Sequence, residues 1–166
     1  MKSLGTHLAQ YAAYHRDRRN ILTHFVGIPL IVLAVAILAS RPAWALGPVM
    51  LSPALVLVVL SCLFYLRLAL GLGLVMTALM LLALWAGQGI AAWSTGPWLA
   101  TGLGLFVVGW VFQFVGHYYE GRKPAFVDDL VGLVIGPLFV VAEAAFLLGL
   151  LPALKAEVEA SAGPVH

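Results

Sequence analysis

The chain has 166 residues, of which 63% are hydrophobic and 10% charged, with a formal net charge of +2. A soluble domain carries roughly 25% charged residues, so a soluble surface cannot be built from this composition. One cysteine, Cys62, excludes an internal disulfide framework, and its place in an apolar run reads as a small core hydrophobe.

Residues 1–19 are polar and basic and lack the apolar stretch of a signal peptide, so they read as a cytoplasmic N-terminal segment. A membrane-spanning helix needs about 20 mostly apolar residues. No charged residue occurs from Pro42 to Leu66, and none from Leu68 to Tyr119. The expected fold is therefore all-α, a polytopic transmembrane helix bundle with about five membrane helices in one integral membrane domain. The first span runs from about Asn20 to Ala39. The second covers Val49 to Leu66, after the breakers Pro42 and Gly47-Pro48. The third covers Leu70 to Trp93. The fourth runs from Trp98, beyond Ser94-Thr95-Gly96-Pro97, to about Gly116. The fifth runs from Leu130 to Leu151, with Asp128 and Asp129 at its polar start. Gly136-Pro137 and Glu143 mark that fifth segment as kinked or re-entrant. From about Lys155 to His166 the chain reads as a short, disordered polar tail, and His166 is given no role.

Five spans put the N-terminus, the turn near Arg67 and residues 117–129 on one side. That side holds Lys2, Arg16, Arg18, Arg19, Arg67, Arg122 and Lys123, and the other only Arg41 and Lys155. Basic residues favour the cytoplasmic side, and Trp44, Trp93 and Trp98 lie near the opposite ends as interfacial aromatics do. The Ala/Leu-rich composition suits a bacterial inner membrane. Gly102, Gly109 and Gly116 share one helix face, and Gly132 and Gly136 form a small-xxx-small pair. Both suit close helix packing, and either face could serve a homodimer.

Two polar clusters stand out. One is Tyr14-His15-Arg16-Asp17-Arg18-Arg19-Asn20, continuing to His24. The other is Gln113-Phe114-Val115-Gly116-His117, continuing through Glu120 to Arg122-Lys123-Pro124. Residues three or four apart share a helix face, so Asn20 and His24 form one stripe and Gln113, His117 and Glu120 another. The topology puts both stripes at one membrane face. Two histidines and a carboxylate can hold iron(II) with positions left open. His15, His24, His117 and Glu120 are the candidate metal ligands and catalytic residues, with Asn20 and Gln113 placed to orient them. Arg16, Arg18 and Arg19 also satisfy the basic-residue bias, and each histidine alone could be an interfacial hydrogen-bonding group. Glu143, a carboxylate deep in an apolar segment, reads as a further ligand, a partner for a ligating histidine, or a protonated structural group.

The motifs Tyr14-His15, Asn20, His24 and Gly27-Ile28-Pro29, then Gln113 to His117, Glu120 and Arg122-Lys123-Pro124-Ala125, then Pro137-Leu138-Phe139 and Glu143, resemble those of the membrane-embedded 2-hydroxy fatty acid dioxygenases known from yeast phytosphingosine breakdown. The resemblance covers nearly the whole chain in order, while residues 41–110 match in hydrophobic character only. It implies an iron(II) enzyme that shortens a 2-hydroxy fatty acid by one carbon with O2. It further implies His15, His24 and His117 as iron ligands with Glu120, and Arg16, Arg19 or Arg122 as holders of the substrate carboxylate. The expected partners are the lipid bilayer, the hydroxy acid and O2, with no nucleic acid. The competing reading is a non-enzymatic lipid-binding or scaffold bundle whose histidines make hydrogen bonds. A haem site needs histidines facing a flat apolar slot, a di-iron desaturase needs about eight clustered histidines, and a transporter needs paired repeats. None of these patterns is visible.

Overall fold

A computed structural model describes residues 2–47 and 49–166. The described residues form seven α-helices, one two-stranded hairpin and a short 3-10 turn at Ala125–Val127: α1 (Leu4–Ala12), α2 (Arg18–Ala39), β1 (Trp44–Leu46), β2 (Val49–Leu51), α3 (Pro53–Leu68), α4 (Leu70–Ala91), α5 (Thr95–Glu120), α6 (Gly132–Leu147) and α7 (Pro152–Ala162). Three helices, α2, α4 and α5, are long and apolar enough to cross a membrane. The bent pair α6 and α7 brings that number to at most four, and α3 is a shorter apolar helix. At 1.5 Å per residue the 22 residues of α2 span about 33 Å, the thickness of a bilayer core.

Against the expectation of about five membrane helices, the second and fifth segments differ in detail. The second expected span begins at Val49, but residues 49–51 pair with β1, Trp44 opposite Leu51. The helix starts only at Pro53, capped by the Ser52 hydroxyl accepting from the Leu55 amide at 3.2 Å, and has 16 residues. Gly47 turns the hairpin with φ +60°, while Pro48, the other breaker, lies outside the described residues. The fifth segment is broken, as expected of a kinked or re-entrant segment, but the helix continues through Pro137. The break falls later, between Leu147 and Pro152, where Gly149 and Leu151 take positive φ and the axis turns by 116°.

The polar tail is also corrected. Residues 152–162 form α7, which packs on α1. His166 beyond it pairs with the chain at the entry to α2: the Arg18 amide donates to the His166 carbonyl at 2.9 Å, and the His166 amide donates to the Arg16 carbonyl at 3.0 Å. The basic N-terminal segment likewise contains a helix. Ser3 caps α1, and Leu8, Ala9, Tyr11 and Ala12 form its buried side.

The described chain falls into two compact units. One comprises the chain up to Ile28 and from Trp110 onward, and the other comprises Pro29–Gly109. Helices α2 and α5 contribute residues to both. Within the second unit α3 and α4 pack side by side. Gly87 of α4 lies so close to α2 that a Cβ there would stand 2.7 Å from the Ala36 carbonyl carbon. The α4 terminus is capped by Arg41, whose guanidinium donates to the carbonyls of Ala91 and Trp93 and lies 4.5 Å from the Trp98 ring centroid. The glycine face of α5 is used inside the chain, Gly102 against Leu38 and Gly116 against Thr23 and Asn20.

Candidate metal centre

The first unit holds the polar clusters. His15 follows α1 in a turn, its amide donating to the Ala12 carbonyl at 2.9 Å. His24 lies in the second turn of α2, and His117 in the last turn of α5. The three imidazoles meet. Their ring centroids are 4.5 to 5.1 Å apart, all in edge-on arrangements. One nitrogen from each lies within 4.8 Å of the others. His15 and His24 are fully buried and His117 is 6% exposed.

The tautomers follow from the partners. His15 Nδ1 lies 2.7 Å from the Tyr11 carbonyl, and His24 Nδ1 lies 2.9 Å from the Asn20 carbonyl. A carbonyl only accepts, so both Nδ1 atoms carry the proton and both Nε2 atoms present lone pairs. Those two Nε2 atoms are 3.0 Å apart. Two lone pairs at that distance repel unless a cation lies against both. A shared proton is disfavoured, because burial, and then the neighbouring His24, hold His15 well below its ordinary imidazole value. His117 Nδ1 is buried and makes no hydrogen bond among the described residues. Three neutral nitrogen donors, two of them backed by carbonyls that fix ring orientation, form a donor set that fits a divalent transition metal.

Glu120 is not in this group. Its oxygens accept the Arg16 amide at 2.9 and 3.0 Å, the Asp17 amide at 2.9 Å and Asn20 Nδ2 at 2.9 Å. Asn20 Nδ2 also reaches the Tyr14 carbonyl at 3.2 Å. Both partners of that amide nitrogen are acceptors, which fixes the amide orientation and leaves Asn20 Oδ1 buried and unpaired. Gln113 Nε2 is likewise buried and unpaired.

Glu143 lies outside the histidine group and faces Arg16. Its Oε1 lies 3.4 Å from Arg16 Nη2, in an ion pair whose side chains are 10% and 7% exposed. The rest of the Arg16 guanidinium is committed: Nε donates to the carbonyls of Ala12 and His15, and Nη1 to that of Gly163. Arg19 is exposed, pairs with Asp17 at 2.7 Å and lies over Tyr119. Arg122 Nη1 donates to the Ala13 carbonyl at 2.7 Å. Each of the three arginines expected at a substrate carboxylate therefore has another partner. Asp128 accepts from Tyr14 and Lys123, and Asp129 accepts the Val131 amide at the entry to α6.

Two further residues pack at the centre: Tyr11, which carried no expectation from the sequence, and Phe139, named there only as part of the Pro137-Leu138-Phe139 motif. The Tyr11 ring stacks on His15, with centroids 4.2 Å apart and planes 6° from parallel. Phe139 packs on both, at 5.0 and 5.4 Å. The four-residue spacing from Tyr11 to His15 was the available signal for the first. Tyr11 also walls a cavity of about 430 Å³, shared with His7, Tyr14, Asp128 and Ile135. A second cavity, about 270 Å³, lies among Arg16, Phe25, Glu143, Phe146 and Val158. No histidine of the cluster lines either of these two cavities, which run past Tyr11 on one side and Arg16 on the other.

Comparison with known proteins agrees with the motifs. A family model described as "Mpo1-like: 2-hydroxy-palmitic acid dioxygenase Mpo1-like" matches residues 1–148. The chain is similar to the 2-hydroxy-palmitic acid dioxygenase MPO1 of Saccharomyces cerevisiae, 37% identical over 158 residues that cover 94% of this chain and 87% of the yeast protein. No solved structure matches the chain.

Proposed function

The chain belongs to the Mpo1-like family of 2-hydroxy-palmitic acid dioxygenases, and from that membership we propose an iron(II)-dependent enzyme that shortens 2-hydroxy fatty acids by one carbon with O2. The observation that carries this reading is the pair of Nε2 lone pairs of His15 and His24, 3.0 Å apart beside His117 in a buried site. Bound iron would supply Lewis acidity and oxygen chemistry next to the bond that breaks. The chain's own residues do the rest. His15, His24 and His117 hold the ion. Tyr11 and Phe139 press on His15 and keep water away from it.

A 2-hydroxy acid offers one hydroxyl donor and a carboxylate acceptor. Asn20 Oδ1 is a buried acceptor and Gln113 Nε2 a buried donor, both unpaired, on the helix stripes that carry His24 and His117. We assign Gln113 Nε2 to the carboxylate, while Asn20 Oδ1 lies packed against Gly116 of α5. This assignment replaces the arginines, whose guanidinium groups have other partners.

An acyl substrate suits a chain with several helices long enough to span a bilayer. We extend the reading to topology. His24 near the start of α2 and His117 near the end of α5 meet, which needs an even number of crossings between them. With α2, α4 and α5 as three, α3 supplies the fourth, its 16 residues spanning about 24 Å. The bias of basic residues supports a centre at the cytoplasmic face, and the Ala/Leu-rich composition supports a bacterial inner membrane.

The test is metal content after anaerobic purification in mild detergent, wild type beside His117→Ala. We expect iron near one per chain in the wild type, none in the variant, and O2-dependent shortening of 2-hydroxypalmitate by the wild type only. Absence of metal from both after anaerobic iron(II) loading would refute the reading and favour the lipid-binding bundle.

A further inference from the structure

Glu120 is the last residue of α5, where a carboxylate opposes the negative end of its own helix dipole. Its location makes sense from the other side. The chain turns away at once through Gly121, φ +66°, and the carboxylate lies instead at the N-terminus of α2. There it accepts the amides of Arg16 and Asp17, and three donors make four contacts with its two oxygens. Charge-assisted bonds of this kind are about twice as strong as neutral ones.

Two of the three donors lead to histidines, and the third histidine shares the helix of Glu120. Arg16 directly follows His15, so the carboxylate holds the segment that carries the first imidazole. Asn20 Nδ2 binds the same oxygen, and the Asn20 carbonyl takes the Nδ1 proton of His24. His117 lies one turn before Glu120 on the same face of α5. The approach of α5 to α2 is set close by: a Cβ at Gly116 would run into Asn20 and Thr23. Three ligands from three separate stretches of chain are therefore tied together through one side chain.

We propose that Glu120 is the positioning residue of the centre: it binds no metal, and it fixes His15, His24 and His117 relative to one another by clamping the start of α2 to the end of α5. This rests on the reading of the three histidines as a metal centre. It departs from the ligand role that the two-histidine, one-carboxylate pattern suggests. Outer residues that orient ligands typically change metal affinity by about 10- to 100-fold.

The test uses cobalt(II), whose visible absorption reports the ligand set, on the full chain in detergent. Wild type, Glu120→Ala, Glu120→Gln and His117→Ala are compared for cobalt affinity by competition, for band positions, and for melting of the metal-free protein. We expect Glu120→Ala to bind cobalt about 10- to 100-fold more weakly with bands at wild-type positions. Glu120→Gln should fall between the two, since it keeps one acceptor oxygen. Should Glu120→Ala not fold, Glu120→Gln gives the same reading. Shifted bands in either Glu120 variant would make the carboxylate a ligand and overturn the proposal. Unchanged affinity with a lowered melting temperature would make its role one of stability alone, which also overturns it. The centre itself is judged separately: wild-type cobalt binding by His117→Ala would refute the metal reading whatever the Glu120 variants do.

Discussion

The two compact units bury different things. The unit built from both ends of the chain buries His15, Arg16, Asn20, His24, Gln113, His117 and Glu143. The unit between them, residues 29–109, buries Ser40 and Ser52 as its polar residues among those described, and each answers a helix terminus. The second unit is held by close approach of apolar helices, as at Gly87, where van der Waals packing is the main force available in lipid. The first is held by a network in which nearly every buried donor has an acceptor. Burying a polar group without a partner costs on the order of 2–7 kcal/mol. The atoms left unpaired there, Asn20 Oδ1, Gln113 Nε2 and His117 Nδ1, are therefore the informative ones. Thr77 Oγ1, within residues 29–109, is also buried and unpaired, whereas these three sit on the histidines' own helices, along with His24 and His117.

The difference is broken most severely at the Arg16–Glu143 pair. Arg16→Leu removes the nearest charge partner of the buried Glu143 carboxylate and leaves Lys155 as its other positive neighbour, and removing one member of such a pair costs up to about 3–5 kcal/mol. The double variant Arg16→Leu/Glu143→Leu should recover much of that loss in the melting temperature measured in detergent, because no unpaired charge remains. A double variant as unstable as the single one would mean that the guanidinium bonds to Ala12, His15 and Gly163, and not the ion pair, carry the effect.

A smaller effect sharpens the comparison from the other unit. Gly87→Val forces a side chain against the backbone of Ala36, and overpacking of this kind costs about 1–3 kcal/mol. Gly89, two residues on, has nothing within 4 Å of a would-be Cβ. Gly89→Val should melt like wild type, and metal content per folded chain should be unchanged in both. Loss of metal in Gly87→Val would show that packing in residues 29–109 governs the centre.

The two units were also unequally legible in the sequence. Three long spans were visible to within a few residues, Leu70 as the start of α4 among them, because charge-free apolar runs register directly in composition. The three histidines were visible because polar residues at helical spacing in an apolar chain need a reason. Helices α1 and α7 were not visible. Nine residues of α1 are too few to register as a span, and Lys155, Glu157 and Glu159 gave α7 the composition of a solvated end. The hairpin at residues 44–51 was hidden inside an uncharged run that reads equally well as helix. Glu120 and Glu143 were visible as unusual residues but not by role. Their partners, the Arg16 amide and guanidinium, are more than a hundred positions away and are set by tertiary structure alone.

The smallest expected effect belongs to Cys62. It is buried in α3, within residues 29–109, and is the chain's single thiol. Thiols in lipid-embedded centres invite a ligand role, and soft donors bind several transition metals. Here the three histidines all belong to the other unit. A serine at position 62 can donate its hydroxyl back to the carbonyl four residues earlier, as helical serines do, so burial of the oxygen is largely answered. Cys62→Ser should therefore keep full metal content, and its activity per folded chain should stay within about twofold of wild type, a change in free energy too small to reflect a lost ligand. Loss of metal from Cys62→Ser with the melting temperature intact would bring the thiol into the centre, and the division between a polar unit that does chemistry and an apolar unit that supports it would no longer hold.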